Sequence, residues 1–289
     1  MQASDNNIMS TNNFISKYIS PLSPIPTSLQ QSGQIKEPIK CILFDIYGTL
    51  FISGAGDISI SKIESRRTEK LEQLLLKSGK TGTPKSLLKD LSRAIETRHA
   101  KLRKKGVDFP EVEIDRVWMH VLENKDLKTV RRFAVEFELI LNPVYPMPHL
   151  KELLSACNDL NILMGIISNA QFYTPYLFNW FLNSGPEDLG FHPDIIFYSY
   201  EFGYAKPSGF LFQNAVQKLK KMNIPAHAAL YIGNDMLNDI YPAKKAGFKT
   251  GLFAGDDRSL RLRKNDPECK NLSADIVITD LIQLLDYVV

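Results

Sequence analysis

Four short polar clusters in the chain hold residue types suited to covalent hydrolytic chemistry. They are Asp45-Ile46-Tyr47-Gly48-Thr49-Leu50, Ser168-Asn169, Ala205-Lys206-Pro207, and Gly233-Asn234-Asp235 running on to Asp239. A carboxylate beside a lysine is held ionised and can attack an electrophile, forming an ester that water then hydrolyses. Gly48 lets the chain turn away tightly after Asp45, freeing backbone N–H groups to hold an anion. The chemistry requires all four clusters to meet at one place.

The elements around them predict that meeting. Asp45 ends the apolar run Ile39–Phe44, and comparable runs recur at Ile162–Ile167, Ile195–Tyr198, Ala228–Ile232, Thr250–Phe253 and Asp275–Ile278. Short, nearly continuous apolar runs are the pattern of strands buried on both faces. Amphipathic stretches at His149–Cys157, Thr174–Leu182, Ser208–Met222 and Leu237–Ala246 lie between them. Alternation of this kind predicts an α/β fold: a mainly parallel, Rossmann-like sheet in a three-layer core. In such sheets ligands sit at the carboxyl ends of the strands, where all four clusters fall.

One interval breaks the alternation. Between Ser59 and Leu141 the pattern is helical, with breaks near Gly82–Pro84, Gly106–Pro110 and Asn124–Asp126. Four helices inserted after the first strand predict an all-helical cap domain over 59–141, with the core built from 38–58 and 142–289. Residues 1–37, rich in Ser, Asn, Gln and Pro, predict a flexible or loosely docked extension. That stretch lacks the basic start and apolar block of a secretory signal.

Composition narrows the class. The 289 residues are 44% hydrophobic and 23% charged, with 35 Lys and Arg against 32 Asp and Glu and a net charge of +3. That apolar fraction excludes a wholly disordered chain, and no window is long and apolar enough for a membrane span. So balanced a charge gives no nucleic-acid footprint. Cys41, Cys157 and Cys269 are odd in number and widely spaced, which fits neither a disulfide framework nor a zinc knuckle and predicts a reducing cytoplasm.

The four clusters, in this order and each after a predicted strand, resemble the motifs of the haloacid dehalogenase superfamily, over Ile39 to about Val277. The resemblance implies an aspartyl nucleophile at Asp45 and phosphate or leaving-group contacts from Ser168 and Lys206. Thr49 and Asn169, within the same motifs, are further candidate substrate contacts. It also implies Mg²⁺, held by Asp45, the backbone carbonyl of Tyr47 and the fourth motif, where Asn234, Asp235 and Asp239 are the candidates; Asp239 is equally a candidate to pair with Lys206. The helical insert is similar to the cap of many members. A small anionic substrate follows, most simply a phosphate monoester. Oligomeric state is not legible in the chain.

Two departures bear on the chemistry. Phosphatases of this superfamily carry a second aspartate where Tyr47 stands, as acid for the leaving alcohol and base for water. A tyrosine can donate a proton but is a poor base near neutrality. The fourth motif usually begins Gly-Asp, whereas this one begins Gly233-Asn234. Tyrosine at position 47 is similar to the metal-independent 2-haloacid dehalogenases, whose halide leaves without a proton; Phe212, where they carry tyrosine, departs from them. Three readings therefore stand: a phosphatase, a 2-haloacid dehalogenase, and a degenerate member that binds without turnover.

In the insert, Leu88, Leu91, Ile95 and Leu102 form a helical stripe interrupted by Arg98 and His99. A charged group on a buried face needs a partner or a ligand, so Arg98 is a candidate substrate contact or an ion-pair member. Arg66-Arg67 is another candidate. Lys101–Lys105 predicts a solvated helix C-terminus, Arg258–Lys264 a solvated loop, and Trp118 cap core.

Overall fold

The computed structural model describes residues 15–54 and 65–288. Seven strands form one sheet: β1 (Ser32–Gly33), β2 (Cys41–Phe44), β5 (Leu163–Ser168), β6 (Phe191–Tyr198), β7 (Ala229–Gly233), β8 (Lys249–Phe253) and β9 (Ile276–Ile278), in the order β1-β9-β8-β7-β2-β5-β6. All neighbours are parallel except β1, which runs antiparallel to β9. The six apolar runs of the sequence are six of these strands. Central β2 shows why they read as continuous. Ile42 and Phe44 enter the core on one face, while Cys41 and Leu43 enter the core on the other. With both faces covered, apolar side chains are favoured at successive positions and not only at alternate ones.

Helices cover the sheet on both sides. Leu153 and Leu154 of the helix Leu150–Asp159 join the first core, and Leu211, Phe212 and Ala215 of Phe210–Lys221 join the second. This is the α/β architecture expected.

Between β2 and the helix Leu150–Asp159 the described residues form four helices: α1 (Ser65–Ser78), α2 (Pro84–Arg103), α3 (Ile114–Val121) and α4 (Leu127–Leu141). The N-caps fall at the expected breaks. Thr83 accepts from the Ser86 N–H ahead of Pro84, and Asp126 accepts from Thr129, so each start is specified by its own side chain. Trp118 packs edge-on against Phe133 and Phe137 at 4.9 and 4.6 Å, making it core of this bundle. A two-stranded antiparallel ribbon, β3 (Phe51–Ser53) with β4 (Val144–Pro146), carries the chain out to the bundle and back. The sequence reading missed it, because three residues are too short to show a period.

Of the two expectations for the extension, flexible or loosely docked, the described part is docked. Ile15 is buried, Thr27 Oγ1 donates to the Ala254 carbonyl at 2.8 Å, and Ser32–Gly33 pairs with β9. Scattered apolar residues and single hydrogen bonds tie the segment down without any periodicity. Residues 1–14, and 55–64 at the start of the insert, lie outside the described residues. Among the described residues no helix is long and apolar enough to cross a membrane, and Cys41, Cys157 and Cys269 are all free and buried.

Candidate active site

The carboxyl ends of β2, β5 and β7 and the loop after β6 converge on one cavity of about 210 Å³, lined by Asp45, Tyr47, Asn169, Lys206, Asn234 and Asp239 among others. Parallel pairing brings this about, since β2 is bonded to β5 on one side and β7 on the other. Asp45 follows the last residue of β2, with its N–H donating to the Ile232 carbonyl at 2.9 Å.

Lys206 is the electrostatic centre. Its ammonium donates to Asp45 Oδ1 at 2.7 Å, to Asp239 Oδ1 at 2.5 Å and to the Tyr231 hydroxyl at 3.0 Å, and the side chain is almost wholly buried. Burial alone would lower its pKa. Asp239 and Asp45 outweigh that and carry it above the ordinary lysine value, so the charge is permanent. Ser168 donates to the same Asp45 oxygen at 2.8 Å. With Oδ1 held twice, Oδ2 is the carboxylate oxygen that accepts no hydrogen bond among the described residues. Asn169 fastens the lysine's backbone, accepting its N–H at 2.7 Å and donating to its carbonyl at 3.3 Å.

The fourth motif is built around Asp239. A π-helical turn, Met236–Ile240, places its Oδ2 to accept the N–H groups of Asn234 and Asp235 at 3.0 and 2.9 Å. A Cβ on Gly233 would lie 2.4 Å from this carboxyl carbon, so only glycine fits there. Burial pushes Asp239 up to about 6 in spite of the lysine, and the neighbouring Asp45 carboxylate adds to the rise.

Several candidates sit differently from expectation. Asp239 has both oxygens committed, so it is a partner of Lys206 and not an open metal ligand. Asp235 caps the π-turn through the N–H groups of Leu237 and Asn238 and is gripped by Arg263, whose Nη2 lies 2.6 Å from Oδ2. It too lacks a vacant oxygen. Asn234 accepts from the buried Thr49 hydroxyl at 3.1 Å and donates to the Ser259 carbonyl at 2.6 Å. Thr49 and Ser168 therefore act on the wall from behind, and neither lines the cavity. Arg98 is away from the site: it donates to the Arg116 carbonyl at 2.6 Å, tying α2 to α3. The Arg66 side chain lies outside the described residues.

Beside the Asp45 carboxylate, the oxygens that could reach a cation are the amide oxygen of Asn234, which accepts one hydrogen bond from Thr49 and keeps a lone pair, and the main-chain carbonyl of Tyr47. Hard Mg²⁺ accepts such a set, since it is commonly held by one or two carboxylates together with water and substrate phosphate. The set fits, with one formal negative charge. Among the described residues no cluster of three or more His, Cys, Asp or Glu forms a metal cage.

Tyr47 lines the cavity with its hydroxyl 3.1 Å from Thr174 Oγ1. Burial first, then the Glu138 carboxylate, pushes its pKa further above the ordinary tyrosine value. It stays protonated.

Sequence reasoning missed Ser53, Asn238, Ser259 and Arg261, which complete the lining. The run Arg258–Lys264, expected as a solvated loop, instead folds over the fourth motif, with the Arg261 N–H donating to the Asn234 carbonyl at 2.9 Å and its carbonyl accepting from Met236. The available signal was the alternation Leu260-Arg261-Leu262-Arg263, which puts both arginines on one side of an extended segment.

Comparison with known proteins bears on the family and the fold. A model of the family described as haloacid dehalogenase-like hydrolase matches residues 39–247. A glyceraldehyde 3-phosphate phosphatase of Methanocaldococcus jannaschii is 26% identical over 253 residues, covering 86% of this chain and 97% of that one. Among solved structures, a hydrolase of the same superfamily from Bacillus subtilis, bound to magnesium, superposes with a TM-score of 0.50 at 17% identity, over 87% of this chain and 99% of that one. An L-2-haloacid dehalogenase superposes equally well, with a TM-score of 0.50, 18% identity and the same coverage. Those two likenesses establish the fold. The family match spans most of the chain and all four clusters that meet at Asp45, and the protein belongs to the haloacid dehalogenase-like hydrolases.

Proposed function

We propose that the protein is a phosphatase that hydrolyses small phosphate monoesters through an aspartyl phosphate on Asp45. The observation that carries this reading is the pairing at Asp45. Lys206 and Ser168 fix Oδ1, and Oδ2 is left as the nucleophile. Oδ2 forms a bond to phosphorus as the bond to the leaving oxygen breaks; water then attacks phosphorus, releasing phosphate and the carboxylate. Lys206 places a fixed positive charge where negative charge accumulates. Mg²⁺, held by Asp45, the Tyr47 carbonyl and Asn234, would supply further neutralisation of the phosphoryl oxygens. The name of the Methanocaldococcus relative supports the same class of reaction.

The polar lining favours phosphoryl over haloacid chemistry. Apart from the Tyr47 ring, the described lining of this cavity consists of charged, amide and hydroxyl side chains. Tyr47 is the residue that favours the dehalogenase reading, because a halide needs no proton. We also propose that α1–α4 act as a cap over the site, with the boundaries given by the helical pattern.

The test is hydrolysis of 4-nitrophenyl phosphate with Mg²⁺ and with a chelator, beside halide release from 2-chloropropionate. The expected result is Mg²⁺-stimulated phosphate release that falls at least ~10³-fold in Asp45→Asn, the scale on which loss of a nucleophile acts. Halide release without phosphate release would overturn the proposal in favour of the dehalogenase. Silence with both substrates would support a non-catalytic member.

A further inference from the structure

A second cavity of about 290 Å³ lies between the helices of the insert and the loop that carries Tyr173, and its wall has a different chemistry. Leu91 and Ile95 of α2, Trp118 of α3 and Phe137 of α4 form an apolar lining, and Glu138 and Tyr173 line it as well. The volume is close to the lower limit of small-molecule pockets, about 300 Å³.

Three observations place this cavity beside the reacting centre. Tyr173 precedes Thr174, whose hydroxyl is 3.1 Å from that of Tyr47. Glu138 acts electrostatically on Tyr47. Ser53, on the catalytic wall, donates to Asn142 at 2.9 Å, and Asn142 donates to Glu138 at 3.2 Å. The charge on the lining is one-sided. Glu138 and Glu96 contribute carboxyls, and no Lys, Arg or His lines the cavity among the described residues. A leaving group carrying a second phosphate or a carboxylate would enter with nothing to neutralise it. An aromatic ring would bury its faces against Trp118, Phe137 and Tyr173.

We propose that this cavity receives the leaving group of the substrate, and that the substrate is therefore the monophosphate of a small, uncharged aromatic alcohol. The inference rests on the phosphatase reading above. It agrees with Tyr47, which stands where the superfamily's acid–base aspartate would be: an aryl oxide leaves without a proton donor far more readily than an alkoxide. Phosphorus passes to Asp45 Oδ2, the bond to the aryl oxygen breaks, and the aryl oxide takes its proton from water.

The test compares 2-naphthyl phosphate with 4-carboxyphenyl phosphate and with acetyl phosphate, which has no ring. The expected result is a kcat/KM at least ~10-fold higher for 2-naphthyl than for 4-carboxyphenyl phosphate. In Ile95→Trp, which fills the cavity, KM for 2-naphthyl phosphate should rise at least ~10-fold while acetyl phosphate turnover stays within about twofold. Ser92→Trp, at an exposed position on the same lining, should act in the same direction and guards against misfolding of the first variant. Equal use of the two aryl phosphates, or an unchanged KM in both folded variants, would overturn the proposal. If neither the aryl phosphates nor acetyl phosphate is hydrolysed, the phosphatase reading has failed separately. Calorimetry with 2-naphthol then decides on the cavity: binding lost in Ile95→Trp supports it, and no binding to the wild type overturns it.

Discussion

Tyr47 and Asn234 are the residues at which the four clusters depart from the motifs they resemble, and under the proposed function each departure has a measurable consequence. A buried, protonated tyrosine cannot act as a base, so the rate should depend steeply on how easily the leaving group departs. Tyr47→Asp should raise turnover of alkyl phosphates relative to aryl phosphates by about 10²–10⁴-fold, the range contributed by a positioned acid or base. Phosphate-release assays across a leaving-group series check this, and a flat ratio would refute it. Asn234 offers a neutral oxygen to a cation. Asn234→Asp should lower the Mg²⁺ concentration for half-maximal activity by at least about 10-fold, because a second carboxylate adds charge to the ligand set. The same change sets a carboxylate against the Ser259 carbonyl now 2.6 Å from Nδ2, at a cost of about 1–3 kcal/mol. A magnesium titration and a thermal melt should therefore move in opposite senses, tighter binding with a lower Tm.

At the scale of elements, the π-helical turn Met236–Ile240 is the device that converts a strand end into a site. It brings the Asp239 carboxylate back over the N–H groups that follow Gly233, and Asp235 caps its start. Asp235→Ala removes that cap and the partner of Arg263, whose contact is 2.6 Å. Losing a cap costs about 0.5–2 kcal/mol, and in a chain of this size each kcal/mol lowers Tm by about 2–4 °C. Differential scanning calorimetry should show that loss; an unchanged Tm would mean that the cap contributes nothing. Only part of this was legible beforehand. The helical and strand periods were, because burial on one or two faces leaves a repeating pattern. The π-turn was not, because its driving contacts are polar and made by single side chains.

Across the whole molecule, the segment from Ile15 to Gly33 runs from the helical bundle to the edge of the sheet. Tyr18 donates to Glu136 on α4, Ile25 accepts from Asp257 at 2.8 Å, and Arg258 donates to the Ser23 carbonyl. The segment thus braces both the bundle and the loop that carries Ser259 and Arg261. Deleting residues 1–37 removes several hydrogen bonds of about 1 kcal/mol each and should lower Tm by about 5 °C or more. Glu136 sets a pH limit on the brace. Burial alone would raise its pKa, but Lys77, Tyr18 and Arg132 outweigh that and hold it below its ordinary value of 4.5. A depressed carboxyl stabilises the fold above its unfolded value, and that stability is lost as pH falls through the folded value. Wild-type Tm should therefore fall more steeply below pH 4.5 than that of Glu136→Gln, and parallel curves would count against the brace.

The chain by itself determined the α/β architecture, the interrupting helices and the order of the four clusters, because these depend on patterns that repeat along a strand or a helix face. Tertiary structure alone decided which members of those clusters are available. Asp235, a candidate ligand in the sequence, is gripped by Arg263; Asp239, for which the sequence leaves metal binding and pairing with Lys206 both open, makes the pair; and Arg261, in a run that looks like solvated loop, lines the cavity. Arg98, a plausible substrate contact on an apolar stripe, ties two helices together instead. The physical reason is common to all four. A charged side chain can satisfy itself with any partner within reach, and which partner is within reach is a matter of three-dimensional distance that spacing in the chain does not encode.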